Sequence, residues 1–170
     1  LKNKKIDALV TAPIDKKNSQ SEEFKFPGHT DYLAQEFGGS ALMFMVSEEV
    51  RVGLLTDHVP VKDAPAAITK DLIRQKAVAM MVSLTQDFGI TRPKIAVLGV
   101  NPHSGDQGVI GSEDQDTMAP TINTMREEGS LIYGPYPADG FFGSGQYKHF
   151  DAVLAAYHDQ GLIPFKTLSF

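Results

Sequence analysis

Short, near-continuous apolar runs, separated by segments with helical spacing, limit what this chain can fold into. Residues 6–11, 41–46, 50–56, 94–100 and 151–156 read as strands. Most are apolar throughout rather than alternating, which suggests strands covered on both faces. Between them, residues 69–88 read as the clearest helix. Thr69 can cap it, Ile73, Ala77, Met80, Leu84 and Phe88 recur on one face, and Gly89 marks its end. A second helix is expected from Ser112 to Gly129, with Ser112-Glu113-Asp114-Gln115 as a capping box and Met118, Ile122 and Met125 as its buried stripe. A shorter one follows Gly28-His29-Thr30 through Tyr32, Leu33 and Phe37 to Gly38.

Strands alternating with helices imply an α/β domain with helices on both faces of a largely parallel sheet. Runs 41–46 and 50–56 are separated only by Ser47-Glu48-Glu49. That gap is too short for a parallel crossover, so one antiparallel pair, and hence a mixed sheet, is expected. The stretch 134–148, rich in glycine and aromatics, is expected to be irregular surface. No repeat or dividing linker interrupts the 170 residues, enough for one compact domain.

Composition narrows the function classes. A net charge of -5 argues against a nucleic-acid footprint, which needs a basic face; Lys2, Lys4 and Lys5 read as a solvated cluster. With no cysteine, disulfides and thiolate metal sites are excluded, so any metal must be held by nitrogen and oxygen. No apolar run has the length of a transmembrane helix, and none reads as a signal peptide. A cytoplasmic protein without membrane partners is expected. The chain starts at Leu1 and stops at Phe170 without a polar tail, and both ends read as cut from something longer.

Three strand-like runs lead directly to a histidine. Residues 50–56 lead into Asp57-His58, residues 94–100 into Asn101-Pro102-His103, and residues 151–156 into Tyr157-His158-Asp159. In an open α/β sheet, ligands bind in the crevice beyond the carboxyl ends of the strands, and neutral imidazole is the commonest metal ligand. His58, His103 and His158 could therefore meet on one divalent metal with an open position. Prolines beside His58 and His103 would stiffen their loops, and Asp57 and Asp159 are the nearest candidates to orient the rings. Three unrelated, solvated loop histidines would give the same pattern. His149 reads as surface.

Three further segments admit two readings each. In Phe26-Pro27-Gly28-His29-Thr30-Asp31, a helix start with a hydroxyl and an imidazole suits a phosphate or carboxylate, but from spacing alone Thr30 or Asp31 as a plain cap is the better reading. Gly105-Asp106-Gln107-Gly108-Val109-Ile110-Gly111 matches neither the dinucleotide fingerprint nor the Walker loop; it could fold over the metal site or be a loose connector. Tyr157-His158-Asp159-Gln160-Gly161-Leu162-Ile163-Pro164-Phe165-Lys166 packs an imidazole, a carboxylate, an amide and an ammonium together. There Lys166 could hold an anion, transfer a proton, or be solvated. Asp159 could orient an imidazole or be an exposed turn residue.

Taken in order, Pro27-Gly28-His29-Thr30-Asp31, Asp57-His58-Val59-Pro60, Asn101-Pro102-His103-Ser104-Gly105 and Tyr157 to Lys166 resemble the 4-hydroxythreonine-4-phosphate dehydrogenases of pyridoxal phosphate biosynthesis. Val10-Thr11-Ala12-Pro13-Ile14-Asp15-Lys16 fits an early segment of the same family, and the likeness runs from end to end. The resemblance implies an isocitrate/isopropylmalate dehydrogenase-like fold. It also implies a metal- and NAD- or NADP-dependent oxidation of the 3-hydroxyl of 4-phosphohydroxy-L-threonine, followed by loss of its carboxylate to leave 3-amino-2-oxopropyl phosphate. It implies His58, His103 and His158 as ligands of Zn, Mg or Co, and His29, Thr30 and Lys166 as substrate contacts. Lys166 and Asp159 are then the catalytic candidates, in a homodimer with its active site at the subunit interface.

Family members are roughly twice this long, as a second domain requires. The chain is therefore expected to be the central α/β portion of a longer two-domain dehydrogenase, able to carry the metal histidines but weakly active or inactive alone. Other readings remain: a dehydrogenase of a related phosphorylated hydroxy acid such as a four-carbon sugar acid phosphate, a three-histidine hydrolase or aldolase, or a non-catalytic dimerising module.

Overall fold

The computed structural model describes residues 3, 5–6, 8–15, 18–19, 21, 24–26, 28–38 and 41–170, with Asp31 described by its backbone only. Lys2, Lys4, Asp7, Lys16 and Pro27 lie outside those residues, as does the Asp31 side chain. The chain divides into two compact units, residues 1–41 and 42–170.

In the first unit, α1 spans His29–Phe37 and ends where Gly38 turns left-handed at φ 65. Phe24, Phe26 and Tyr32 pack mutually, with centroids 5.3–5.6 Å apart. The strand expected over 6–11 does not form: residues 6 and 8–11 are irregular, and Val10 is 95% exposed. A strand needs partners for its backbone groups, and the described residues of this unit contain no strand to supply them.

The second unit is built on five strands, interleaved with helices. In chain order these are β1 (Phe44–Val46), β2 (Arg51–Leu54), a short α2 (Ala64–Ala67), α3 (Lys70–Gln86), β3 (Ile95–Leu98), α4 (Ala119–Glu127), β4 (Ile132–Tyr136), α5 (Ala138–Gly143), β5 (Ala152–Ala155) and α6 (His158–Ser169). The sheet order is β1-β2-β5-β3-β4. Only β1 and β2 are antiparallel, pairing Phe44 with Gly53, while every other neighbour is parallel. The mixed, largely parallel sheet is therefore as expected.

Side chains along each strand alternate between two cores. Ile95, Val97, Leu154 and Ile132 face Ile73, Ala77, Met80 and Leu84 of α3 and Met118, Ile122 and Met125 beside them. Ala96, Leu98, Val153 and Ala155 face Phe141, Tyr147, Leu162 and Phe165. Both sheet faces are thus covered, which is why the strands carry few polar residues.

Several boundaries depart from the sequence reading. Helix α3 stops at Gln86, so Phe88 lies beyond it, 37% exposed against Phe44 and beneath the Arg51 guanidinium. The expected capping box at Ser112 is not made. Residues Asp114–Met118 instead form one π-helical turn leading into α4, and Ser112 accepts through its backbone carbonyl from Gln115 and Asp116. Residues 134–148 are not wholly irregular: they contain the end of β4, all of α5 and most of a 3-10 turn at Gln146–His149. Residues 158–166 form most of α6, with Tyr157 at its cap.

Helix α6 lies close on the sheet because Gly161 has no side chain. A Cβ there would come within 2.8 Å of Leu54, 2.9 Å of Val52 and 3.0 Å of Ala155. The Thr69 cap is made as expected, its side chain accepting from the Leu72 N–H at 3.2 Å. Thr69→Ala should lower the unfolding free energy by about 1 kcal/mol. Urea denaturation reads this directly, and an unchanged midpoint would contradict the cap.

Candidate functional site

The three strands that precede the histidines, β2, β5 and β3, are consecutive in the sheet. Their carboxyl ends are stitched together by polar side chains. Thr56 donates its hydroxyl to the Ala156 carbonyl at 2.8 Å. The Gln160 side-chain oxygen accepts from the Ala156 N–H at 2.7 Å, while its amide nitrogen donates to the Gly99 carbonyl at 2.6 Å. Loops leaving these strands thus start from a fixed edge.

On that edge the His58 and His158 rings lie side by side, with centroids 5.6 Å apart and planes 38° apart. Two imidazoles bound to one metal through bonds of about 2.0–2.1 Å hold their rings roughly 5–6 Å apart. The pair lines a cavity of about 310 Å³ with Asp57, Val59, Pro60, Val61, Tyr157 and Asp159. Nδ1 of His158 lies 2.7 Å from Oδ1 of Asp159. Donation from Nδ1 to that carboxylate leaves Nε2 with its lone pair free, the arrangement of a metal-ligating histidine. Asp57 acts differently, accepting from the backbone N–H of His58 at 2.9 Å rather than from its ring.

A larger cavity of about 760 Å³ shares Tyr157 and Asp159 with the first and runs between α5 and α6 past Phe142, Tyr147, Ile163 and Leu168.

The donors fit a divalent transition metal in kind, being imidazoles, one of them with a ring nitrogen against a carboxylate. Among the described residues, however, no group of three or more His, Cys, Asp or Glu side chains is arranged to hold a metal ion. His103 is exposed on the loop after β3 and does not line the cavity of the pair. Lys166 is exposed on α6 and is also outside it. Asp159, hydrogen-bonded to His158 yet 69% exposed through its side chain, unites the two readings its sequence left open. His29 and Thr30 form the first turn of α1 in the other unit, with Gly28 as a cap that has no side chain to contribute. His149 is exposed.

The loop carrying His103 is unusual. His103, Ser104, Asp106 and Gln107 all have φ between 42 and 55, and Gly105 has φ 83. Left-handed backbone costs a residue with a side chain roughly 1–2 kcal/mol, so four such residues among five consecutive positions must be held from outside.

The holding group was not identifiable as one from the sequence: Asp114, fully buried at the π-turn. Its Oδ1 accepts from the Val100 N–H at 2.8 Å, and its Oδ2 accepts from the Asn101 N–H at 3.0 Å and the Asn101 side-chain amide at 2.9 Å. The same amide donates to Glu113 at 2.8 Å. The Glu113 carboxyl is held below the ordinary carboxylate range, first by a backbone N–H and then by Asn101. Gly99 makes the approach possible, since a Cβ there would stand 2.6 Å from Asp114 and 2.7 Å from the Ser104 hydroxyl. With its amide oxygen turned inward, Gln115 accepts from the N–H groups of Gln107 and Gly108 at 3.1 and 3.2 Å. The segment is pinned rather than loose.

Fold and site together define an open α/β protein with an imidazole-bearing crevice beyond its parallel strands. The sequence model for the pyridoxal phosphate biosynthetic protein PdxA matches residues 1–170. The chain is 52% identical over 166 residues to a 4-hydroxythreonine-4-phosphate dehydrogenase of Bacteroides thetaiotaomicron, covering 96% of this chain and 46% of that protein. It is 45% identical to the enzyme of the same name from Sulfurihydrogenibium, covering 98% and 52%. A crystal structure of a 4-hydroxythreonine-4-phosphate dehydrogenase from Burkholderia phymatum superposes with a TM-score of 0.85 at 36% identity, covering 99% of this chain and 52% of that one. The chain belongs to the PdxA family, and it spans about half the length of the relatives it matches. Among the described residues, no helix is long and apolar enough to cross a membrane.

Proposed function

We propose that this chain supplies the metal-binding part of a dehydrogenase acting on 4-phosphohydroxy-L-threonine, with NAD or NADP as hydride acceptor. The observation that carries the reading is the His58–His158 pair, 5.6 Å apart at the ends of adjacent parallel strands, with one ring oriented by Asp159. The names of the relatives support the substrate. In this reading His58, His158 and His103 are the ligands of Zn, Mg or Co. Asp159 keeps the Nδ1 proton of His158 in place. His29, Thr30 and Lys166 hold the phosphorylated substrate, Lys166 as a point charge. A bound divalent metal supplies a Lewis acid toward the substrate's hydroxyl oxygen. The reading includes a homodimer with its active site at the subunit interface.

The test is a calorimetric zinc titration of the chain stripped of metal. The parent should take up about one zinc per chain, His58→Ala and His103→Ala should lose it, and His149→Ala should keep it. Equal binding by the parent and His58→Ala would sink the proposal.

A further inference from the structure

We propose that Asp114 is the positioning residue of His103, fixing where the loop after β3 presents its imidazole. The inference rests on the metal-site reading above and extends it to a residue with no place in that reading.

Three observations carry it. Asp114 is a carboxylate with no solvent exposure, and its three hydrogen-bond partners are neutral groups of Val100 and Asn101, the residues that lead into Pro102 and His103. A buried carboxylate without a cation is retained only where donors compensate it, and here all of them belong to this loop. The loop beyond it is left-handed from His103 to Gln107, a conformation that persists only when its surroundings over-determine it. Asp114 and Asn101 anchor its start, the Ser104 hydroxyl reaches the Pro135 carbonyl at 3.3 Å, and Gln115 holds its end. Asp114 and Gln115 both belong to the turn before α4, so one element grips both ends of the segment bearing His103. Its π-helical geometry suits the role, since π-turns recur at functional sites.

The experiment follows cobalt binding to the chain by visible absorption, which reports the ligand set, in the parent and in Asp114→Asn, His103→Ala, His58→Ala and the Asp114→Asn/His103→Ala double variant. Asn keeps the size of Asp114 but turns an amide N–H₂ toward donors. Asp114→Asn should weaken cobalt binding about 10–100-fold, reproduce the His103→Ala spectrum, and lose nothing more in the double variant. A merely structural role would instead weaken binding further in the double variant. Parent-like affinity in Asp114→Asn, with both histidine variants impaired, would overturn the positioning role alone. Unchanged affinity in both histidine variants would overturn the metal-site reading and this inference together. If Asp114→Asn does not fold, Asn101→Ala weakens the same link from the loop side by removing the side-chain bond to Asp114 while the two backbone bonds stay. It should show the same spectrum and the same lack of additivity with His103→Ala, and additive loss would overturn the proposal.

Discussion

Phe141→Ala should remove about 3–5 kcal/mol of unfolding free energy, read as a lowered urea midpoint with an unchanged slope. Phe141 is 2% exposed and central to an aromatic group: it stacks on Tyr136 at 5.2 Å and meets Phe142 and Phe150 at 5.4 and 5.6 Å. It belongs to the core on the face of β3 and β5 that α6 also covers. Truncation loses the transfer energy of the ring and leaves a void. It also removes ring–ring contacts worth about 0.5–1.5 kcal/mol each beyond simple burial. Val109→Ala is the control: at 81% exposure it should stay within about 0.5 kcal/mol of the parent. A Phe141→Ala loss no larger than that control's would mean this face is not packed as described.

Asp159→Ala should weaken zinc binding about 10–100-fold without lowering the melting temperature. The carboxylate is mostly exposed, so its removal leaves no buried void. What it removes is the acceptor 2.7 Å from His158 Nδ1. Without that acceptor the ring can place its proton on either nitrogen and turn about χ2, and part of the population offers N–H where a lone pair is needed. Asp159→Asn should recover part of the affinity, because its side-chain carbonyl still accepts. A calorimetric zinc titration of the three proteins decides it; identical affinities would mean Asp159 has no orienting role.

The strands that proved legible, β1, β2, β3 and β5, are apolar runs because two cores flank the sheet. Strand β4 hid behind Gly134 and Pro135, which ordinarily punctuate. It tolerates them at the sheet edge, where a missing N–H need not break a ladder. Helix α6 hid behind Gly161 and Pro164, yet Gly161 is what lets the helix approach Leu54 and Val52. The nearness of His58 and His158 could be read because their strand ends point to one crevice, whereas His103 lies outside that cavity. Asp114 could not, because its local pattern matches a capping box. Only the π-turn, a matter of backbone geometry, carries its carboxylate beneath Val100 and Asn101. The run 6–11 had strand-like composition, but pairing depends on a neighbour that composition does not reveal.

The strand order carries a consequence for synthesis. Of the five described strands, β5 comes last in sequence and lies in the middle of the sheet, between β2 and β3. Until residues 152–155 emerge, the β1–β2 hairpin and the β3–β4 pair are two separate ribbons, each with an open edge. The final strand joins them like the keystone of an arch, and it brings His158 beside His58 in the same event. A nascent chain halted short of Ala152 has neither the continuous five-stranded sheet nor an imidazole pair, so assembly of the crevice and joining of the two ribbons are one step.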